Sequence, residues 1–143
     1  MASTTAMCST FKQEILVGTH NFTLSTGDSF KFSMYTSTAT HSAATTAYSA
    51  TNEISGTGYT AAGKALTNVT PTLSGTTALT DFVDASWTTA TFTAASGLIY
   101  NDTAAGDPAV SVHDFGGDKT VTAGTFTVQF PTADASNAII RIA

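Results

Sequence analysis

The sequence predicts an all-β protein: an antiparallel β-sandwich, jelly-roll or Ig-like, of about eight strands with one short N-terminal helix. Three observations carry that expectation. Apolar residues recur with a period of two, as in "DSFKFSMYTS", where Phe30, Phe32 and Met34 alternate with Lys31, Ser33 and Tyr35. Thr and Ser, at 30 and 14 residues, stand in for charged side chains, which make up only 10% of the chain against roughly 25% in average soluble domains. Thr is β-branched and suits the outward positions of strands. Helical crossover segments, which a parallel α/β sheet would need, are almost missing.

In chain order, residues 1–9 read as a flexible arm of small polar residues. "TFKQEILVG" follows as the one helical signal. Thr10 with Gln13 makes a capping-box pattern, Phe11, Ile15 and Leu16 share a face, and Gly18 ends the helix in the left-handed region. A helix of two turns is stable only when docked. "DSFKFSMYTS" is the first strand. "KALTNVTPT" and "TALTDFVD" are two more, separated by a turn over residues 71–76. "TATFTAA" and "SGLIYN" flank a tight connection at Ser96 and Gly97. "PAVSVHDF" leads through Gly116 and Gly117 into "KTVTAGTFTVQF", with Phe126, Val128 and Phe130 on one face. "NAIIRIA" closes the chain.

At 143 residues the length suits one domain with one core, here residues 10–143. Residues 36–63 interrupt the pattern with a long loop poor in large apolar side chains, a length usually functional or disordered. The loop reads as an excursion laid on a partner surface, with a mobile surface loop as the other reading. Tyr48, Ile54 and Tyr59 would pin it. Trp87, the lone tryptophan, reads as a core anchor, with an interface hot spot as the alternative. With Tyr100 these make the candidate interface set: Tyr48, Ile54, Tyr59, Trp87 and Tyr100.

Charge excludes some partners. The net charge is −5, and Lys12, Lys31, Lys64, Lys119 and Arg141 are scattered singly, so neither nucleic acid nor an anionic membrane is expected as a partner. Cys8 is alone and implies no internal disulfide. "MASTTAMCST" has no basic or apolar signal region, and no apolar run approaches the roughly 18 residues of a membrane span. The expectation is a chain made in a cytoplasm and soluble until it joins an assembly.

The chemical motifs are decoys. "GYTAAGKA" has the spacing of a phosphate-cradling loop through Gly58, Gly63 and Lys64, but Ala65 stands where a Mg²⁺-binding hydroxyl is required. Asp114, Phe115 and Gly116 spell a kinase metal triplet without the other kinase motifs; they read as a turn between strands. His20, His41 and His113 have no partners at metal-ligand spacing. Asp81 with Asp84, and Asp102 with Asp107, read as backbone-capping residues rather than a hydrolytic pair. Asn101, Asp102 and Asp107 lack the alternating acidic ligands of a Ca²⁺ loop. The Asn-x-Thr triplets at Asn21, Asn68 and Asn101 are expected by chance in so Thr-rich a chain. Neither catalysis nor a cofactor is expected.

The ordered words "GDSFKFSMYTS", "NEISGTGYTAAGKALT", "DASWTTATFTAASGLIYN" and "VHDFGGDKTVTAGTFTVQFP" resemble a group of small virion-associated structural proteins of tailed bacteriophages. The likeness spans roughly residues 11–142. It implies a non-enzymatic component of capsid, tail or fibre, found in the virion and assembled in the host cytoplasm. A capsid decoration (cement) protein fits the small size. It would bind the major capsid protein or other virion proteins as a homo-oligomer, a trimer favoured, with the N-terminal arm and the long loop draped over neighbours. A tail or head-fibre component is the alternative. From another class comes a host-surface glycan-binding module using Tyr48, Tyr59, Tyr100 and Trp87.

Overall fold

The computed structural model describes residues 2–143. Nine elements follow in chain order: β1 (Ala6–Met7), α1 (Ser9–Leu16), β2 (Phe30–Tyr35), β3 (Lys64–Ala65), β4 (Asn68–Ser74), β5 (Thr77–Phe82), β6 (Ala85–Asn101), β7 (Ala109–Val128) and β8 (Ile140–Ile142). They form two antiparallel sheets, one of five strands in the order β1-β7-β6-β2-β3 and one of three in the order β4-β5-β8. The fold is the all-β, sandwich-like one that the period of two predicts. An aromatic cluster joins the sheets. Phe30 of β2 stacks on Phe22 at 4.3 Å and meets Phe82 of β5 at 5.7 Å, and Phe82 meets Phe130 at 5.7 Å. Burying each such ring contributes about 1.5–3 kcal/mol.

Residues 2–9 are not a loose arm; Met1 lies outside the described residues. Ala6 and Met7 pair with Val112 and Ser111 as the edge of the long sheet. The Thr4 N–H donates to the His41 carbonyl and the Cys8 N–H to the Val110 carbonyl, both at 2.9 Å. Ser3 is buried, donating to the Ala39 carbonyl at 3.3 Å and accepting from Ser96 at 3.1 Å. Ser3 and Cys8 fill tight slots because they are small, a property that in sequence looks like looseness.

Helix α1 begins without the capping box. Cys8 occupies the cap position with no side-chain bond, and the Thr10 hydroxyl is buried without a partner. Gly18 ends the helix as expected, at φ +77°, its N–H reaching the Ile15 carbonyl at 3.2 Å. Phe11 enters the core, whereas Leu16 is 85% exposed.

"KALTNVTPT" is two strands rather than one. The chain leaves the long sheet after β3, turns at buried Leu66, and enters the short sheet as β4. Pro71 does not begin a turn. It sits inside β4, an edge strand, where a register shift between Val69 and Thr72 accommodates its missing N–H. The turn lies farther on, at Gly75 with φ +60°.

Strands β6 and β7 run 17 and 20 residues without a break, so the connection expected at Ser96 and Gly97 does not exist. Gly97 faces Met34 on one side and His113 on the other, and a Cβ there would overlap the Phe32 ring. Its role is close approach, not turning. Gly116 and Gly117 do take positive φ, +75° and +119°, but inside β7. Ser96 faces Asp114 and Ala94 faces Lys119, so residues 115–118 bulge out opposite Ala95. Asp114 shapes the bulge by accepting the Gly116 N–H at 3.0 Å, and its own N–H donates to Thr5 at 2.8 Å. A Cβ at either glycine meets nothing within 4 Å, so a substitution there costs backbone strain alone. Gly116→Val and Gly117→Val are each expected to lower stability by about 1–2 kcal/mol, and Asp114→Ala by at most about 1 kcal/mol. Urea midpoints measure the three, and equal values would contradict the positive-φ account.

Candidate functional site

The loop with phosphate-loop spacing, read as a decoy, is used up internally. Gly58 and Gly63 take positive φ. The Tyr59, Ala62 and Gly63 N–H groups donate to the Gly56 carbonyl, the Glu53 carboxylate and the Thr60 carbonyl. Lys64 pairs in β3, bonds the Ser86 carbonyl and lies 5.5 Å from the Trp87 ring centroid. The turn acidic residues behave likewise. Asp81 is buried, which raises its carboxyl above the usual range, and it accepts the Phe82 and Ile139 N–H groups. Asp84 accepts the Phe130 N–H at 2.8 Å. Asp102 pairs with Lys31 at 3.1 Å. Among the described residues, no three His, Cys, Asp or Glu side chains converge as a metal site.

What does converge is the four tyrosines of the chain around Glu53, two of them bonded to its carboxylate. The excursion folds back over β2, with Glu53 opposite Tyr35 and Thr57 opposite Thr91. Glu53 accepts the Tyr59 hydroxyl at 2.6 Å and the Ala62 N–H at 2.8 Å on Oε1, and the Tyr48 hydroxyl at 2.7 Å on Oε2. Tyr59 in turn accepts the Met34 N–H at 3.0 Å. Tyr100 donates to the Ala62 carbonyl at 2.6 Å and stacks on Tyr48 at 4.7 Å, while Tyr35 donates to the Ser49 carbonyl at 2.9 Å. The excursion thus covers the second face of β2, and Ser33 and Tyr35, polar-face residues by alternation, are fully buried. Burial pushes the Tyr35 phenol up to about 12. Burial, then the Glu53 carboxylate, raises those of Tyr48 and Tyr59; burial and nearby carboxylates raise that of Tyr100. All four stay neutral donors at physiological pH.

Of the five interface candidates, Ile54, Trp87 and Tyr100 are thus buried within the chain itself, and Tyr48 and Tyr59 are half-buried with their hydroxyls bound to Glu53. Trp87 is a core anchor, 4% exposed. The residue that sequence reasoning missed is Glu53. Its signal was available: it is the one charged residue of 36–63, with tyrosines five before and six after.

A second polar cluster pins α1. The His20 side chain is fully buried, its Nε2 at 2.7 Å from Glu14 and its Nδ1 at 3.1 Å from the Asn101 amide nitrogen. That amide also donates to Asp28 at 2.8 Å, and the Asn101 oxygen accepts the Thr103 and Ala104 N–H groups. With Nδ1 facing the Asn101 amide donor, the hydrogen on Nε2 points toward Glu14. Asn101 is therefore a full hydrogen-bonding hub rather than a cation ligand. Burial and then the Glu14 charge push the Cys8 thiol nearby up to about 11, keeping it protonated at neutral pH.

The third feature is an open groove between the distal half of β7 and residues 130–139, where Phe115 stacks 6.4 Å from Phe32. His113 lies on its wall, uncharged because burial lowers it to about 4, with Nε2 at 2.9 Å from Ser111. In comparisons with known proteins, no protein-family model, no curated protein and no solved structure matches the chain.

Proposed function

We propose that the chain is a non-enzymatic structural protein of a bacteriophage virion, a capsid decoration (cement) protein that stabilises the head shell as a homotrimer. The resemblance of the order of its sequence words to small virion proteins carries this reading. The site chemistry supports it: Glu53, Asp81, Asp84 and Asn101 each bind groups of their own chain and hold loops in place. The exposed polar face of the β6–β7 ribbon is a Thr and Ser surface, with Ser86 bonded to Thr127 at 2.9 Å and Thr93 to Thr120 at 2.8 Å. Such side chains lose little rotamer entropy in a contact.

The draping elements expected from sequence are docked on the chain itself, which favours a contact through other surfaces. Leu16 and Ile142, 85% and 55% exposed, form with Met7 and Ile15 an apolar patch where α1 meets the edge strand β8. The glycan-binding reading has less support, since Trp87 and Tyr100 are buried and the Tyr48 and Tyr59 hydroxyls are engaged by Glu53. Purified particles should carry the protein in hundreds of copies, and shells lacking it should burst at lower temperature. A few copies per particle would overturn the decoration reading and assign the chain to the tail or a fibre.

A further inference from the structure

The two sheets do not close along the distal half of β7. The gap is a cavity of about 580 Å³, within the roughly 300–1,000 Å³ of small-molecule sites. Four rings wall it: Phe32, Phe115, Phe126 and Phe130, with Val128 and Ile139 between them. Phe32 is fully buried and forms the deep side. His113 beside it is neutral, so the deep end carries no charge.

The mouth differs. Lys119 is exposed and is the one charged residue on the wall. Among the described residues the ion pairs are His20 with Glu14 and Lys31 with Asp102, so Lys119 has no carboxylate partner. Residues 120–133 carry no charge at all. An open aromatic slot with a single unpaired ammonium on its wall complements a molecule with one anionic head and an apolar tail. A phosphate-rich ligand would want several cations or a nest of backbone amides, and the bulge at 115–118 supplies neither toward the slot. An uncharged apolar ligand would leave Lys119 unused.

We propose that this groove binds a medium-chain monocarboxylate, its tail among Phe32, Phe115, Phe126 and Phe130 and its carboxylate at the Lys119 ammonium. The inference does not depend on where the protein resides, because it rests on the groove alone. The chain carries its own reporter. Trp87 lies with its ring 6.2 Å from Phe32 and 6.1 Å from Phe126, so a ligand between those rings changes its emission.

The test titrates the full-length protein with hexanoate, octanoate and decanoate, each below its micelle concentration, following Trp87 fluorescence and calorimetry. Binding should saturate, with affinity rising about threefold to fourfold per added methylene. Decanol should bind about fivefold more weakly than decanoate, and Lys119→Met should erase that difference without altering folding, since Lys119 is exposed. Val128→Trp, which fills the slot, should abolish the calorimetric signal; if it does not fold, the Lys119→Met comparison still decides. Equal affinities of decanol and decanoate for the unmodified protein would overturn the proposal. So would a signal that never saturates, or sedimentation showing a second copy that closes the groove and excludes decanoate.

Discussion

Glu53→Ala is expected to cost about 3–4 kcal/mol of stability. It removes the acceptor of three donors, the Tyr48 and Tyr59 hydroxyls and the Ala62 N–H. A buried donor left unmatched costs about 1–3 kcal/mol; Tyr48, half-buried, recovers part of its share from water. The loss is also local in origin. With Glu53 gone, residues 36–63 have fewer ties to β2, and amide exchange should accelerate at Met34, Ile54 and Ala62 before it does in β6. Glu53→Gln keeps an acceptor for Tyr59 and Ala62 and should restore most of the stability. If Gln and Ala variants share one urea midpoint, the carboxylate is not the organising group. The same cluster makes the protein sensitive to alkali. The Tyr35 phenol ionises at about 12 when folded against 10.0 ordinarily. The unfolded chain therefore releases that proton first, so the stability is complete below pH 10 and is lost as pH rises toward 12. Acid has no such effect through this group.

Asn101→Ala is the second large effect, about 3 kcal/mol. Asn101 is fully buried and uses both ends of its amide. Truncation strands two backbone N–H groups at Thr103 and Ala104 and removes the donor to His20 and Asp28, of which water reaches only some. Because His20 bridges to Glu14, the damage should extend to α1, raising amide exchange across Ser9–Leu16. Nitrogen chemical shifts of His20 offer a check: the fixed Nε2–H tautomer of the parent should give way to a mixture. An unchanged tautomer would show that Glu14 alone orients the ring.

The elements best read from sequence were those whose signal is intrinsic to the backbone or to one face. Phe30, Phe32 and Met34 announced β2 by period, and Gly18 announced the end of α1. Gly116 and Gly117 announced positive φ, but a glycine pair suits a hairpin and a bulge equally. Only the register, Ser96 to Asp114 and Ala94 to Lys119, separates the two. Gly97 misled for a related reason. It was read as a turn former, whereas the demand on it comes from the Phe32 ring of a strand sixty-odd residues away in sequence. The burial of Ser33 and Tyr35 was hidden because it depends on a loop folding back, and the group that holds the loop, Glu53, looks in sequence like an ordinary surface charge. The groove at Phe126 and Phe130 was half visible: the shared face was legible, its incomplete cover was not.

The placement of β1 has a consequence for how the molecule is made. Ala6 and Met7 pair with Val112 and Ser111, and Thr5 bonds Asp114, 109 residues farther on. The β6–β7 ribbon is joined by a short connection and zips from it by local contacts, whereas closing so long a loop is slow. On a ribosome β1 has no place to dock until β7 is synthesised. Strand β1 is made long before the strand that receives it, and it waits through the synthesis of β2 to β6 for its native neighbours.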